Sequence, residues 1–377
     1  MSKKVLYVAT VLSHVCQFHL PYLKMFQERG YEVHVAARDN LAEKNGLQLK
    51  YADKSFEVPF QRSPFSIRNI KAYKQLKQLI NENKYDLIVC NTPVGGILTR
   101  MAAKKTRKQG TKVIYMAHGF HFYKGAPKKN WMIYYPIEKH FAKRCDMVVT
   151  INEEDYLFAR EHFLGRVERI HGVGVDSCRY MSIDAKCRLA RKTNFGYSQS
   201  EFIVLVVGEL LPNKNQMQVI KAIEQVKTTH SNIKLLVAGN GNERNNLENY
   251  VKEHQLEENI EFLGYCTNLE DYQCFVDVGV SCSIREGLGL NVIESMMSGN
   301  TFIATKNRGH NELIKDGYNG FLVDIHDSKT LAERLIFLME NQDIKRQMEN
   351  NAIEFVKRYS LDETRKEMTS IIETLVD

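Results

Sequence analysis

Along the chain, short apolar runs alternate with longer stretches whose apolar residues recur every three or four positions. The run Val5-Leu6-Tyr7-Val8-Ala9 reads as a buried strand and is followed by a loop through His14 and His19. Pro21 suits the first turn of a helix ending at Gly30, and Tyr31, Val33 and Val35 then alternate as the next strand. Apolar runs at 86–90, 112–117 and 146–151, with helical patterns between them, continue this strand–helix–strand rhythm. The periodicity lapses between Leu164 and Asp184, a stretch holding Gly165, Gly172 and Gly174, which places a domain boundary there. A second series follows at 202–207, 233–238, 259–263, 277–281, 301–304 and 320–323. The expected fold is α/β with two doubly wound parallel sheets, in domains 1–175 and 176–360. The amphipathic stretch 361–377 is expected to pack back across the first domain.

Composition narrows this picture in three ways. A chain of 377 residues with 44% hydrophobic and 26% charged residues can build two ordinary cores and is not disordered by composition. No apolar run reaches the roughly 18–20 residues of a membrane span, and Met-Ser-Lys-Lys leads directly into a strand, so a cytoplasmic location is expected. Eight scattered cysteines without a C-x-x-C pair suit reduced core thiols rather than a disulfide framework or a zinc site. Charge is unevenly divided: residues 1–176 hold 29 Lys and Arg against 16 Asp and Glu, net +13, and the remainder is net −6. The basic half points to an anionic partner.

In a parallel sheet, ligands gather at the C-terminal ends of the strands, so the loops there carry the candidate chemistry. One such loop is 91–96, with a glycine pair opening a helix. Another is His118-Gly119-Phe120-His121-Phe122-Tyr123-Lys124-Gly125. His118 and His121 lack a third ligand nearby in sequence, and a polar site residue or a structural histidine is expected in preference to a metal ligand. The third is Arg285-Glu286-Gly287-Leu288-Gly289-Leu290-Asn291-Val292-Ile293-Glu294, a strand, a glycine turn and a helix start. Glycines there admit a ligand close to the backbone, and free N–H groups at the helix start suit phosphate. Glu286 and Glu294 could face one hydroxyl-rich ligand from two sides, or be solvated glutamates around a tight turn.

The segment E-G-L-G-L-N-V-I-E resembles the E-x(7)-E signature of retaining GT-B glycosyltransferases, notably glycosyltransferase family 4. The stretches His118 to Pro127, Asn130-Trp131 and Ile151 to Asp155 are similar to cytosolic transferases of bacterial capsule and exopolysaccharide assembly. The resemblance covers nearly the whole chain. It implies two Rossmann-like domains with a cleft between them, a nucleotide-sugar donor, and no metal or other cofactor; no D-x-D motif occurs. It also implies roles. Glu294 would bind the ribose, Glu286 would face the donor sugar, and the backbone at Gly287, Leu288 and Gly289 would reach the diphosphate or the sugar. Lys214 and Asn213 would lie at the diphosphate, Gly241 and Tyr265 by the nucleotide, and His118 would hydrogen-bond the sugar. Two departures stand out. Glu209 occupies the place of a family arginine, leaving Arg285 and Arg308 as candidate replacements. The first loop, Thr10–Phe18, lacks a glycine pair found in relatives.

The acceptor side is read from the basic half. His14 and His19 lie on the first loop. An apolar stripe of Ile67, Ile70, Tyr73, Leu76 and Ile80 runs beside Arg68, Lys71, Lys74 and Lys77. Lys124, Lys128 and Lys129 alternate with Phe120, Phe122, Tyr123, Trp131, Tyr134 and Tyr135. Basic residues with interfacial aromatics suit docking at an anionic membrane, where a lipid-linked glycan acceptor would be met. This gives a peripheral protein on the inner face of the cell membrane. A nucleotide-sugar epimerase of the same fold is the alternative enzyme. Nucleic-acid binding is not expected, because no RNP or helix-turn-helix signature accompanies the charge.

Overall fold

Each half of the chain builds its own parallel sheet because its strands are joined by helical crossovers, which bury both faces. A computed structural model describes residues 2–43 and 46–376. One compact unit comprises Met1–Gly174 together with Leu361–Asp377, and the other Val175–Ser360.

In the first unit, β1 (Lys4–Val11), β2 (Glu32–Arg38), β3 (Lys54–Glu57), β4 (Leu87–Asn91), β5 (Lys112–Ala117), β6 (Met147–Thr150) and β7 (Arg166–Arg169) pair in the order 3-2-1-4-5-6-7. All six pairings are parallel, with Val5 to Val8 of β1 facing Leu87 to Cys90 of β4. In the second, β8 (Phe202–Val207), β9 (Ile233–Ala238), β10 (Ile260–Gly264), β11 (Val278–Ser281), β12 (Thr301–Thr305) and β13 (Gly320–Val323) follow the order 10-9-8-11-12-13. Strand order therefore reverses between β1 and β4, and again between β8 and β11. At such a point neighbouring loops diverge and leave a crevice for a ligand.

The helix Leu361–Val376 belongs to the first unit, burying Thr364, Met368, Ile371 and Ile372. Its Arg365 reaches Glu28, and Glu373 reaches Arg29. Two short edge strands, β3 and β7, appear where no alternating pattern announces them, because edge strands need little apolar surface. The expected loop Thr10–Phe18 is instead the end of β1 and a helix, Leu12–Phe18, which buries Leu12, Val15 and Cys16 and is tied down by Asn40 Oδ1 accepting from the Ser13 N–H at 3.0 Å.

The expected membrane-facing aromatics are also redistributed. Phe120 and Phe122 are buried in the core of the first unit. Trp131 packs on Phe122 and Phe158 at centroid distances of 5.5 and 5.4 Å, so it closes that core rather than facing outward. The stripe on helix Asn69–Asn83 splits: Leu76 and Ile80 are buried, while Ile67 before the helix and Ile70 within it are 81% and 58% exposed.

A buried ion pair ties the helices to the sheet. Arg100 is fully buried, its Nη2 3.0 Å from Glu138 Oε2, and Tyr115 donates to the other carboxylate oxygen at 3.0 Å. Removing one partner leaves an uncompensated charge in the core. Glu138→Ala is expected to cost about 3–5 kcal/mol in urea unfolding, and Arg100→Met with Glu138→Leu clearly less. Equal losses in the two would show that charge burial is not the reason.

Candidate active site

In the second unit, the loops after β8 and β11 are stitched together. The chain leaves β8 at Gly208, makes a short 3-10 turn at Pro212–Lys214, and enters helix Gln216–Lys227 through Asn215 at φ 51°. Asn213 accepts the Ile284 N–H at 2.8 Å on its carbonyl oxygen and donates Nδ2 to the Arg285 carbonyl at 3.1 Å. Asn291 Nδ2 donates to the last carbonyl of β8, that of Val207, at 3.2 Å. A β-carbon on Gly239, at the end of β9, would stand 2.0 Å from the Gly208 carbonyl oxygen, so the loops after β8 and β9 meet backbone to backbone.

This stitching brings Lys214 and Glu286 into direct ion-pair contact, with side chains 26% and 15% exposed. A cation and a carboxylate distant in sequence thus form one unit. Gly289 caps helix Leu290–Met297 at φ 93°, and Leu288 is buried beneath the turn. The next helix, Arg308–Leu313, lies against the same turn: a β-carbon on Gly309 would be 2.9 Å from the Leu288 nitrogen. Arg308 thereby opens a helix beside the turn, whereas the Arg285 side chain is exposed. Glu209 is exposed too, and its carbonyl accepts from Gln216 Nε2 at 3.0 Å. Tyr265, after β10, is 57% exposed, and Gly241 packs under Leu210.

Three residues near the turn escape sequence reading. His310 is fully buried, with Nδ1 2.7 Å from the Thr305 carbonyl oxygen and Nε2 without a hydrogen-bond partner among the described residues. Burial holds its pKa below the usual value, with Lys214 acting in the same direction and Glu286 opposing. Glu294, one helix turn inside, meets Tyr180 and the Arg179 charge, both from the stretch where periodicity lapses. Desolvation pushes the Glu294 carboxyl up to about 7, against the opposing pull of Arg179 and the Tyr180 hydrogen bond.

In the first unit, the ends of β1, β4 and β5 hold a polar cluster. Thr10 and Thr92 hydroxyls are 2.6 Å apart, and Thr92 adopts φ 65°. His14, His19 and His118 converge, with ring centroids 4.7–5.1 Å apart. His118 is thus joined by two histidines from far upstream in the chain, which local spacing cannot reveal, and not by His121. Burial lowers the pKa of all three, that of His14 to about 4. His19 is wholly buried and faces neither a membrane nor an open acceptor site, whereas His14 lines a cavity of about 260 Å³ with Thr10, Arg62, His121, Tyr134 and Glu138. Lys124, Lys128 and Lys129 are exposed.

Two doubly wound parallel units in one chain, the second bearing a glycine turn between paired carboxylates, define a GT-B transferase. The family model for glycosyl transferases group 1 matches residues 191–355, and that for glycosyl transferase 4-like proteins matches 4–152. The chain is 40% identical over 379 residues to EpsD of Bacillus subtilis (strain 168), which is provisionally assigned as a glycosyltransferase; the match covers 100% of this chain and 98% of EpsD. It is 24% identical to the Escherichia coli UDP-Gal:α-D-GlcNAc-diphosphoundecaprenol α-1,3-galactosyltransferase, over 92% of each chain. The crystal structure of Anabaena HepE in complex with UDP shares the fold at a TM-score of 0.79 and 19% identity, covering 99% of this chain and 100% of that one. The chain belongs to the group 1, family 4-like glycosyltransferases.

The state of Glu294 has a measurable consequence. Its carboxyl is protonated in the folded protein up to about pH 7, but ionises near 4.5 when unfolded. Folding therefore takes up a proton between those values, so this contribution to stability is greatest below pH 4.5 and is lost as pH rises through 7. Glu294→Gln is expected to match wild type near pH 4.5 and to exceed it by roughly 1–3 kcal/mol at pH 8. Urea unfolding at both pH values is the measurement; a gap that does not widen with pH would place the carboxyl in water.

Proposed function

We propose that this enzyme transfers a sugar, with retention of configuration and without a metal, from a UDP-linked donor to a lipid-linked saccharide in surface-glycan assembly. The observation that carries the reading is the Lys214–Glu286 pair against the 286–289 turn, with Glu294 behind it. Breaking the anomeric bond builds negative charge on the departing diphosphate while the sugar becomes oxocarbenium-like. Lys214 and the N–H groups at the start of helix Leu290–Met297 are placed to meet that charge. Before donor binds, Glu286 neutralises Lys214. Donor phosphates then compete for the lysine and free the carboxylate for sugar hydroxyls. Glu294 accepts from the ribose hydroxyls, and Tyr180 holds it in place. Arg308 is the better substitute for the arginine that Glu209 displaces, since its helix rests on the turn. On the first unit, His118 hydrogen-bonds the sugar, accepting from a hydroxyl because its own N–H faces Asn91. Retention arises without a protein nucleophile, the leaving phosphate taking the acceptor proton on the same face.

The choice of uridine is supported by the UDP-bound HepE structure and the UDP-galactose-using E. coli relative. The same relative acts on a diphosphoundecaprenol-linked sugar, which supports a lipid-linked acceptor. The first unit suits that acceptor. Phe65, Ile67 and Ile70 are 76%, 81% and 58% exposed beside Arg62, Arg68 and Lys71, and Met132 is 77% exposed beside Lys128 and Lys129. Both segments border the cavity at His14, through Arg62 and Pro64 on one and Tyr134 and Ile137 on the other. Apolar side chains among lysines are the composition of a segment that enters an anionic leaflet. Among the described residues no helix is long and apolar enough to cross a membrane, so attachment would be at the surface.

Incubation with a panel of nucleotide sugars and lipid-linked acceptor, with the new linkage read by NMR, tests the reaction. Epimerised sugar formed without acceptor would overturn it. Lys214→Ala should lower kcat about a hundredfold or more. Glu294→Ala should weaken UDP binding by about tenfold, as befits loss of a buried hydrogen-bonding partner worth about 1–3 kcal/mol. Excess chelator should leave transfer nearly intact, and abolition rescued by a divalent ion would reverse the metal-free reading.

Membrane attachment has its own assay. Each basic residue at an anionic surface contributes roughly 1 kcal/mol, screened by salt. Charge reversal at Lys71, Lys74, Lys128 and Lys129, or Phe65→Ser with Met132→Ser, should release the protein from anionic vesicles in co-sedimentation. Activity on a water-soluble acceptor should persist. Wild-type protein that ignores such vesicles at low salt would leave the basic surface without this role.

A further inference from the structure

The three histidines of the first unit come from separate segments. His14 lies in helix Leu12–Phe18, His19 at the junction before helix Leu20–Glu28, and His118 directly after β5. Each offers one ring nitrogen, and these three atoms lie within 4.8 Å of one another. Nε2 of His14 and Nε2 of His19 are 3.3 Å apart. A tetrahedral zinc ion, with nitrogen ligands at about 2.0–2.1 Å, separates its ligand atoms by about 3.3–3.4 Å. An imidazole–imidazole hydrogen bond has a similar length, but it engages two rings and gives no reason for the third.

The outer partners supply that reason. The Tyr7 hydroxyl is 3.4 Å from His19 Nδ1, and Asn91 Oδ1 is 3.1 Å from His118 Nε2. Metal-bound histidines characteristically commit their second nitrogen to such a group, which fixes the tautomer and the ring orientation. Asn91 Oδ1 accepts from Nε2–H of His118 and leaves its lone pair on Nδ1, and a Tyr7 hydroxyl accepting from Nδ1–H of His19 leaves that ring's lone pair on Nε2 when a cation binds. His14 also lines the neighbouring cavity, which gives room for a fourth ligand, the open arrangement of a three-histidine metal site. Imidazole donors favour Zn²⁺, Co²⁺, Ni²⁺ or Cu²⁺ over Mg²⁺ and Ca²⁺.

We propose that His14, His19 and His118 bind one divalent transition cation, and that its occupancy withdraws His118 from the sugar and so suppresses transfer. The second half rests on the function proposed above; the site itself does not. It agrees with metal-free catalysis, since the cation acts as an inhibitor.

Calorimetric titration of chelator-stripped, full-length protein, with no nucleotide sugar present, should show one equivalent of Zn²⁺ bound and no Mg²⁺. Tyr7→Phe should weaken Zn²⁺ by about ten- to a hundredfold, and His14→Ala or His19→Ala by more than about a hundredfold. Co²⁺ bound to the wild-type protein should give the intense visible bands of four-coordinate cobalt, a readout that needs no variant. Absence of Zn²⁺ binding, weak six-coordinate cobalt bands, or undiminished affinity in a His14→Ala protein that melts like wild type would each overturn the site. Zn²⁺ should also depress transfer, with recovery on adding chelator. Stoichiometric Zn²⁺ binding that leaves transfer unchanged would overturn the inhibition alone.

Discussion

A parallel strand cannot turn back on its neighbour, and this constraint governs both units. Every strand must be followed by a crossover, so all the strand ends of a sheet lie on one edge. Where strand order reverses, two crossovers leave in opposite directions and their loops part. Both sheets have that reversal, between β1 and β4 and between β8 and β11, and both polar clusters sit on the loops there. The histidine cluster and the Lys214–Glu286 pair are thus products of topology as much as of composition. Within the second unit the crevice is kept tight by contacts between backbones, which is why Gly239 and Gly309 stand where any β-carbon would collide.

The parts of this architecture that a one-dimensional pattern can carry are legible in the sequence. Buried parallel strands are continuous apolar runs, and 112–117, 202–207, 233–238 and 320–323 coincide with β5, β8, β9 and β13. Edge strands β3 and β7 escaped because half-exposed residues such as Lys54 and Arg166 carry no such run. The helix Leu12–Phe18 escaped because seven residues hold fewer than two full periods of a helical pattern.

Side-chain roles were legible in proportion to how local they are. The turn at 286–289 is contiguous, so its glycines and Glu294 could be singled out. Tyr180 and Arg179 reach Glu294 from more than a hundred positions away, and nothing in their own neighbourhood marks them. Trp131 shows the opposite error. An aromatic among lysines reads as interfacial, yet its ring fills a gap between Phe122 and Phe158 while Met132 and Ile133, with no special signal, take the exposed positions. Composition identifies the surface, and only packing decides which residue lies on it.

The loops of the second unit hold their charges in mutual restraint. Lys214 is neutralised by Glu286, Glu294 is held near neutrality by desolvation, and His310 is kept uncharged in its buried place. Each arrangement lowers the cost of leaving an ionisable group in a crevice without a ligand. In the proposed reaction each would be exchanged for contacts with a diphosphate and its sugar. A pre-formed carboxylate–lysine pair further weakens the attraction for free inorganic phosphate, because such an anion has to displace Glu286 without offering hydroxyls for it to accept. A nucleotide sugar brings both chemistries at once, phosphate for the lysine and hydroxyls for the glutamate. Under the proposed function the pair would favour a two-part ligand over either part alone, with specificity following from the balance rather than from the strength of any one contact.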